Sequence, residues 1–173
     1  NWDWSFGVPS DVFDYYNNME RKENPSIEYV TYNDPTIRSL AEGLEQRAEE
    51  NEYSKAEFAT AFVQNLPYLE DAYTRYDEYP KYPIQTLVDG SGDCEDSSYL
   101  AAALIAAMNI DVILIHPEGH LGIGIWCDGC YGTYWEIEGR KYYYLETTNP
   151  NWEMGECPSD ISSAKLYSVF NRV

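Results

Sequence analysis

The chain has 173 residues, 44% from the set AVILMFWYC and 16% aromatic, enough for one globular domain with a packed core and too apolar for intrinsic disorder. Eleven Lys plus Arg against 30 Asp plus Glu leave a net charge of −19, which repels phosphate backbones and anionic lipid, excludes nucleic acid as a natural partner and favours a neutral or basic polymer. The longest apolar run, Leu100 to Met108, is about half the roughly 20 residues of a membrane-spanning helix.

Residues 1–33 are read as an N-terminal extension that wraps the domain, with Trp2, Trp4 and Phe6 as packing groups. Because the chain opens on Asn1, it is read as processed or truncated, leaving room for a signal peptide or a membrane tether upstream. Asp34-Pro35 reads as an N-cap with proline at the first helical position. Ile37, Leu40, Ala41, Leu44 and Ala48 then follow helical spacing to about Glu50. Ser54-Lys55-Ala56-Glu57 fits a capping box; the apolar face expected of that second helix is Phe58, Ala61, Phe62 and Leu66, with Pro67 as its stop. Residues 68–93 read as an irregular functional loop, in which Tyr68, Tyr73, Tyr76, Tyr79 and Tyr82 either line a substrate cleft or pack the loop. An Ala-rich helix is expected from Cys94 to Met108. Strands are expected at Asp111–Ile115, His120–Trp126, Thr133–Ile137 and Lys141–Thr147, with a hairpin turn at Glu138-Gly139. Helices followed by an antiparallel-looking sheet read as α+β. Residues 34–157 are taken as the core and 158–173 as a C-terminal segment packing on it.

Gly90-Ser91-Gly92-Asp93-Cys94-Glu95-Asp96 sets one cysteine at a helix start, where unsatisfied N–H groups and the helix dipole favour a thiolate and can hold an oxyanion. The acidic neighbours oppose that activation, and a small buried cysteine is the plain alternative. Such a nucleophile needs a base. His116 lies in a loop-like segment before Pro117; His120 heads a strand in which Gly122, Gly124 and Trp126 share its face, and two glycines there call for close approach of another element. The Cys94 helix is the expected partner of that face. A surface histidine at a strand edge is the alternative. Glu146 shares a face with Tyr142 and Tyr144 and can orient the imidazole, or be an exposed acid at a strand end. Acidic residues Asp89, Asp93, Glu95 and Asp96 do not fit a calcium loop, and no metal or other cofactor is expected.

Taken together, Gly92-Asp93-Cys94-Glu95-Asp96 with its Ala/Leu-rich helix, Gly119-His120-Leu121-Gly122-Ile123-Gly124, and Tyr144-Leu145-Glu146-Thr147-Thr148 resemble the transglutaminase-like superfamily, particularly microbial and archaeal members. The resemblance spans roughly residues 34–157. It implies a papain-like α+β fold with Cys94 as nucleophile, His120 as base and Glu146 as orienting acid, where the family usually carries Asp. It also implies Gln64 as the polar residue near the oxyanion hole. Tyr82 and Trp126 are the candidate substrate contacts.

The expected chemistry is acyl transfer through a Cys94 thioester on a protein or peptide substrate, with hydrolysis by a cysteine peptidase or amidase ahead of amine transfer by a transglutaminase. A non-catalytic peptide- or wall-polymer-binding module that keeps the fold is the alternative from another class. A monomer is expected. Acidity, tyrosine content and cysteines beyond the nucleophile point to the cell surface or the extracellular space. There one disulfide should join Cys157 to Cys127 or Cys130, since a C-x-x-C pair is more often redox-active than structural. Zinc on these three cysteines lacks a fourth ligand.

Overall fold

A computed structural model describes residues 5–69, 79–158, 161 and 163–170. Trp2, Trp4, Tyr73 and Tyr76 lie outside the described residues.

The helical signals before the cysteine translate directly into structure. Asp34 accepts hydrogen bonds from the Thr36 and Ile37 N–H groups, Pro35 occupies the first turn, and α2 runs Pro35–Glu50 with Ile37, Leu40, Ala41, Leu44 and Ala48 buried. Ser54 caps α3 (Lys55–Gln64) by accepting from the Glu57 N–H. The buried face of α3 differs from expectation. It is Ala56, Ala59, Thr60, Val63 and Gln64, with Phe58 and Phe62 half-buried and Ala61 exposed. Both faces are apolar enough to be core, and the face that wins has alanines where α3 meets its Ala-rich neighbour.

That neighbour is α5 (Cys94–Ala107), capped by the Asp93 carboxylate, which accepts from the Asp96 N–H, and buried along nearly its whole length. Ala101, Ala102, Ala103 and Ala106, all at most 1% exposed, let helices close in on one side and the sheet on the other. Two helices escape the sequence pattern: α1 (Ser10–Asn17) and α4 (Pro83–Asp89). The second occupies part of the expected irregular loop. It has Pro83 in its first turn, Gln85 Oε1 accepting from the Tyr82 N–H, and Gly90 as C-cap. Tyr16, Tyr29, Tyr82 and Tyr99 form a ring-to-ring chain with centroids 4.8–5.3 Å apart, and this chain ties the N-terminal segment to α4 and α5.

Five antiparallel strands follow: β1 (Val112–His116), β2 (Gly122–Trp126), β3 (Tyr134–Ile137), β4 (Arg140–Leu145) and β5 (Lys165–Ser168). Their order is β3-β4-β2-β1-β5, so the C-terminal segment supplies an edge strand, Leu114 opposite Tyr167. The β3–β4 hairpin turns on Glu138 and Gly139, both at positive φ, the signature of a type I′ turn. One sheet face (Val112, Leu114, Leu121, Ile123, Ile125, Leu145) joins the helical core; the other holds Ile113, Ile115, Tyr142 and Tyr144.

That division corrects the expected partner of the β2 glycines. The Cys94 helix packs on the Leu121–Ile123–Ile125 face. A Cβ on Gly122 would lie 2.6–2.8 Å from the Tyr144 ring, and one on Gly124 would meet Ile115 and Ile113. The close approach is therefore side chains of the second core, with the Tyr144 ring lying over Gly122.

Candidate active site

Three elements converge at the opening of α5. Cys94 stands in its first turn. His120 follows the β1–β2 turn, and Glu146 follows the last residue of β4, a strand paired with β2 so that Ile123 faces Leu145. The register puts the two chain segments side by side. His120 Nε2 lies 3.0 Å from Glu146 Oε2.

Glu146 is 3% exposed and heavily bonded. Tyr144 Oη donates to its Oε2 at 2.9 Å. Its Oε1 accepts from the Thr147 N–H, the Thr148 N–H and Thr148 Oγ1 at 2.8–3.1 Å. Burial alone would raise its pKa; the His120 ring, Thr148 and Tyr144 outweigh burial and hold the carboxyl at about 2. Reciprocally, Glu146 raises the His120 imidazole above its ordinary value against the opposing effect of burial, with Glu95 adding in the same direction. Tyr144 is what the Gly122 vacancy accommodates, so the glycine two residues after His120 serves the acid that pairs with it.

The helix carrying Cys94 is fastened to both strands by one buried hydroxyl. Ser98, one turn after Cys94, donates to the Leu121 carbonyl at 2.8 Å and shares a 2.9 Å hydrogen bond with Thr147 Oγ1. The thiol itself donates to Glu95 Oε2 at 2.9 Å. Burial and then Glu95 push the Cys94 thiol strongly up, while the Leu121 N–H, which faces the sulfur, pulls the other way. Desolvation and the adjacent carboxylate thus favour the thiol, in the direction the acidic neighbours implied and against the thiolate a helix N-terminus favours. Asp96, 1% exposed, accepts from the Lys81 N–H and pairs with Lys81 Nζ at 3.3 Å; Nζ also reaches Asp89 and the Ser91 carbonyl. Lys81 thus clamps the glycine turn leading into Cys94.

The other expected site residues fall elsewhere. Gln64 Nε2 donates to the Glu146 carbonyl at 2.8 Å and to the Trp152 carbonyl at 3.5 Å. Its amide hydrogens are committed to main chain, so in this arrangement it braces Glu146 in place of offering an oxyanion donor. Tyr82 is fully buried in the tyrosine chain, its Oη donating to the Glu20 carbonyl, and cannot touch a substrate. Trp126 closes the far end of β2, roughly 20 Å along the chain from His120 at strand rise, with the Arg140 guanidinium over its ring. The disulfide is also corrected: Cys127 is bonded to Cys130, and Cys157 is a free, half-buried thiol, pushed up to about 11 by burial and by Glu146. The two-residue spacer turns through Gly129 at positive φ, which brings the pair together, while Cys157 packs against the second core.

A cleft of about 640 Å³ opens beside the His–Glu pair, lined by Pro117, Glu118, His120, Glu146, Trp152 and Ile161 among others. Sequence reasoning missed Trp152 and Ile161, which follow the last predicted strand and carry no periodicity. Among the described residues no group of three or more His, Cys, Asp or Glu side chains is placed to hold a metal ion. No described helix is long and apolar enough to cross a membrane.

The fold is thus mixed α+β, a buried cysteine-bearing helix between helices and a five-stranded antiparallel sheet, with a thiol at the helix opening and a hydrogen-bonded His–Glu pair where β2 begins and β4 ends. No protein-family model matches the sequence. No curated protein matches it either. Among solved structures, it is similar to a chain from Cytophaga hutchinsonii named a "Putative Cysteine Protease", with a TM-score of 0.40 and 14% identity over 84% of this chain. The match spans about half, 52%, of that chain's length.

Proposed function

We propose that the protein is a thiol-dependent acyl-transfer enzyme that hydrolyses amides of proteins or peptides. The observation that carries this reading is the His120–Glu146 pair at 3.0 Å, its carboxylate buried and its imidazole half-buried, joined through Ser98 to the turn that bears Cys94. With Nε2 held by Glu146, Nδ1 is the ring nitrogen left to receive the Cys94 proton. As the proton leaves, the sulfur attacks the substrate carbonyl and a C–S bond forms. The oxygen takes up negative charge opposite the backbone N–H groups that open α5. His120 then passes its proton to the departing amine as the C–N bond breaks. Water, deprotonated by the same ring, hydrolyses the thioester and returns the thiol.

A resting thiol fits this general-base route: proton transfer accompanies attack, and no ion pair is required beforehand. Mass spectrometry of model proteins incubated with the enzyme, with and without an amine donor, tests the reading. Cleaved or deamidated products that vanish with Cys94→Ala support hydrolysis. Amine adducts at glutamine would identify a transglutaminase, and no change in any product would leave the fold as a binding module.

A further inference from the structure

Glu95 sits beside the sulfur, and the basic group it acts on is the His120 ring. Its Oε2 accepts the Cys94 thiol at 2.9 Å. Its Oε1 accepts from Asn24 Nδ2 at 3.5 Å, and Asn24 is in turn fixed by Tyr99 Oη, which donates to Asn24 Oδ1 at 2.6 Å. Among the described residues no lysine or arginine pairs with it. Lys81 is held by Asp89 and Asp96, and Arg21 by Tyr79 and Gln85. Attack takes the thiol proton to His120, so Glu95 loses its donor at the moment a substrate carbonyl reaches the sulfur. A half-buried carboxylate is then left beside the reacting carbon with Oε2 unfilled. A cation on the substrate replaces the lost donor with a charge-assisted hydrogen bond; an anion there faces two carboxylates, Glu95 and Glu146, set against the single His120 imidazolium that both act on. The cleft beside the His120–Glu146 pair adds Glu118 and has no lysine or arginine in its described lining.

We infer that Glu95 selects substrates carrying a basic side chain next to the amide that Cys94 attacks. The inference rests on the reading of Cys94 as nucleophile and deepens it by naming the substrate class.

Binding to the Cys94→Ala protein tests it without turnover. The probes are three fluorescein-labelled peptides, identical except for Lys, Ala or Glu beside a central Gln-Ala bond, followed by anisotropy at low and high salt. The Lys peptide should bind at least about tenfold more tightly than the Ala peptide, the Glu peptide more weakly than either, and the preference should shrink with salt. Glu95→Gln in the same background, close to isosteric, should bring the Lys-to-Ala ratio near one. Glu95→Lys should favour the Glu peptide. Equal binding of all three, no binding of the Lys peptide at millimolar concentration, or a Lys preference that survives Glu95→Gln would overturn the inference. Charge selection in binding without turnover by wild-type enzyme would sink the acyl-transfer reading alone. Turnover with no charge selection would sink this inference alone.

Discussion

Replacing Glu146 by Gln isolates the electrostatic part of the site. The side chain keeps its volume but loses the charge that faces His120, and a carboxamide presents only one oxygen where Tyr144, Thr147 and Thr148 now donate to two. A buried carboxyl held at about 2 in place of 4.5 corresponds to about 3 kcal/mol at 1.36 kcal/mol per pH unit. The sign follows from linkage. Because the folded-state pKa of Glu146 is depressed, its contribution is present above the unfolded value and is lost as pH falls toward 2. Because that of His120 is raised, the same pair weakens as pH rises through the folded imidazole value. Wild-type stability should therefore be fullest between about 4.5 and 6.5, and fall on either side as these groups change charge. Urea unfolding of both proteins at pH 3, 5.5 and 8 measures this. Glu146→Gln should cost about 2–3 kcal/mol at pH 5.5 and much less at pH 3, and His120, followed by NMR, should titrate lower in the variant. A loss equal at all three pH values, with His120 titrating unchanged, would refute the reasoning.

Activity should rise with pH along a limb lying above the ordinary imidazole value, since His120 must be neutral to take the thiol proton, and Glu146→Gln should move that limb down while lowering its plateau. His120→Ala should abolish product formation in the same peptide assay while His116→Ala, at the end of β1, should leave it; equal losses would remove His120 from its role. Gly122→Ala pushes the Tyr144 ring off Glu146 and should cost about 1–3 kcal/mol in urea unfolding, whereas a silent substitution would mean the ring yields freely. Thiol counting in denaturant without reductant should find two, Cys94 and Cys157; four would remove the disulfide.

The parts of the fold written in local chemistry were legible in the sequence. Asp34-Pro35 and Ser54 each announce a helix start, and Glu138-Gly139 announces its hairpin. What was illegible depends on partners far along the chain. α4 is only seven residues, too short to display a period, and β5 becomes a strand by pairing with β1. The face of α3 that turns inward is decided by the alanines of α5, and Phe58 and Phe62 misdirect a reading that weighs size alone. The same holds at the site. The pairing of Glu146 with His120 could be anticipated from strand face and spacing. Tyr82 could not be recognised as core, because four tyrosines from separate segments stack only in three dimensions. Nor could the raised thiol be foreseen in full, since it depends on burial as much as on the adjacent Glu95.

The most direct test of the central claim is active-site labelling with an amide-mimicking peptidyl vinyl sulfone, read by peptide mass spectrometry. The account predicts one adduct, on Cys94, lost in His120→Ala and slowed in Glu146→Gln, with Cys157 unmodified. An adduct on Cys157 in place of Cys94, or labelling of Cys94 at the same rate without His120, would contradict it.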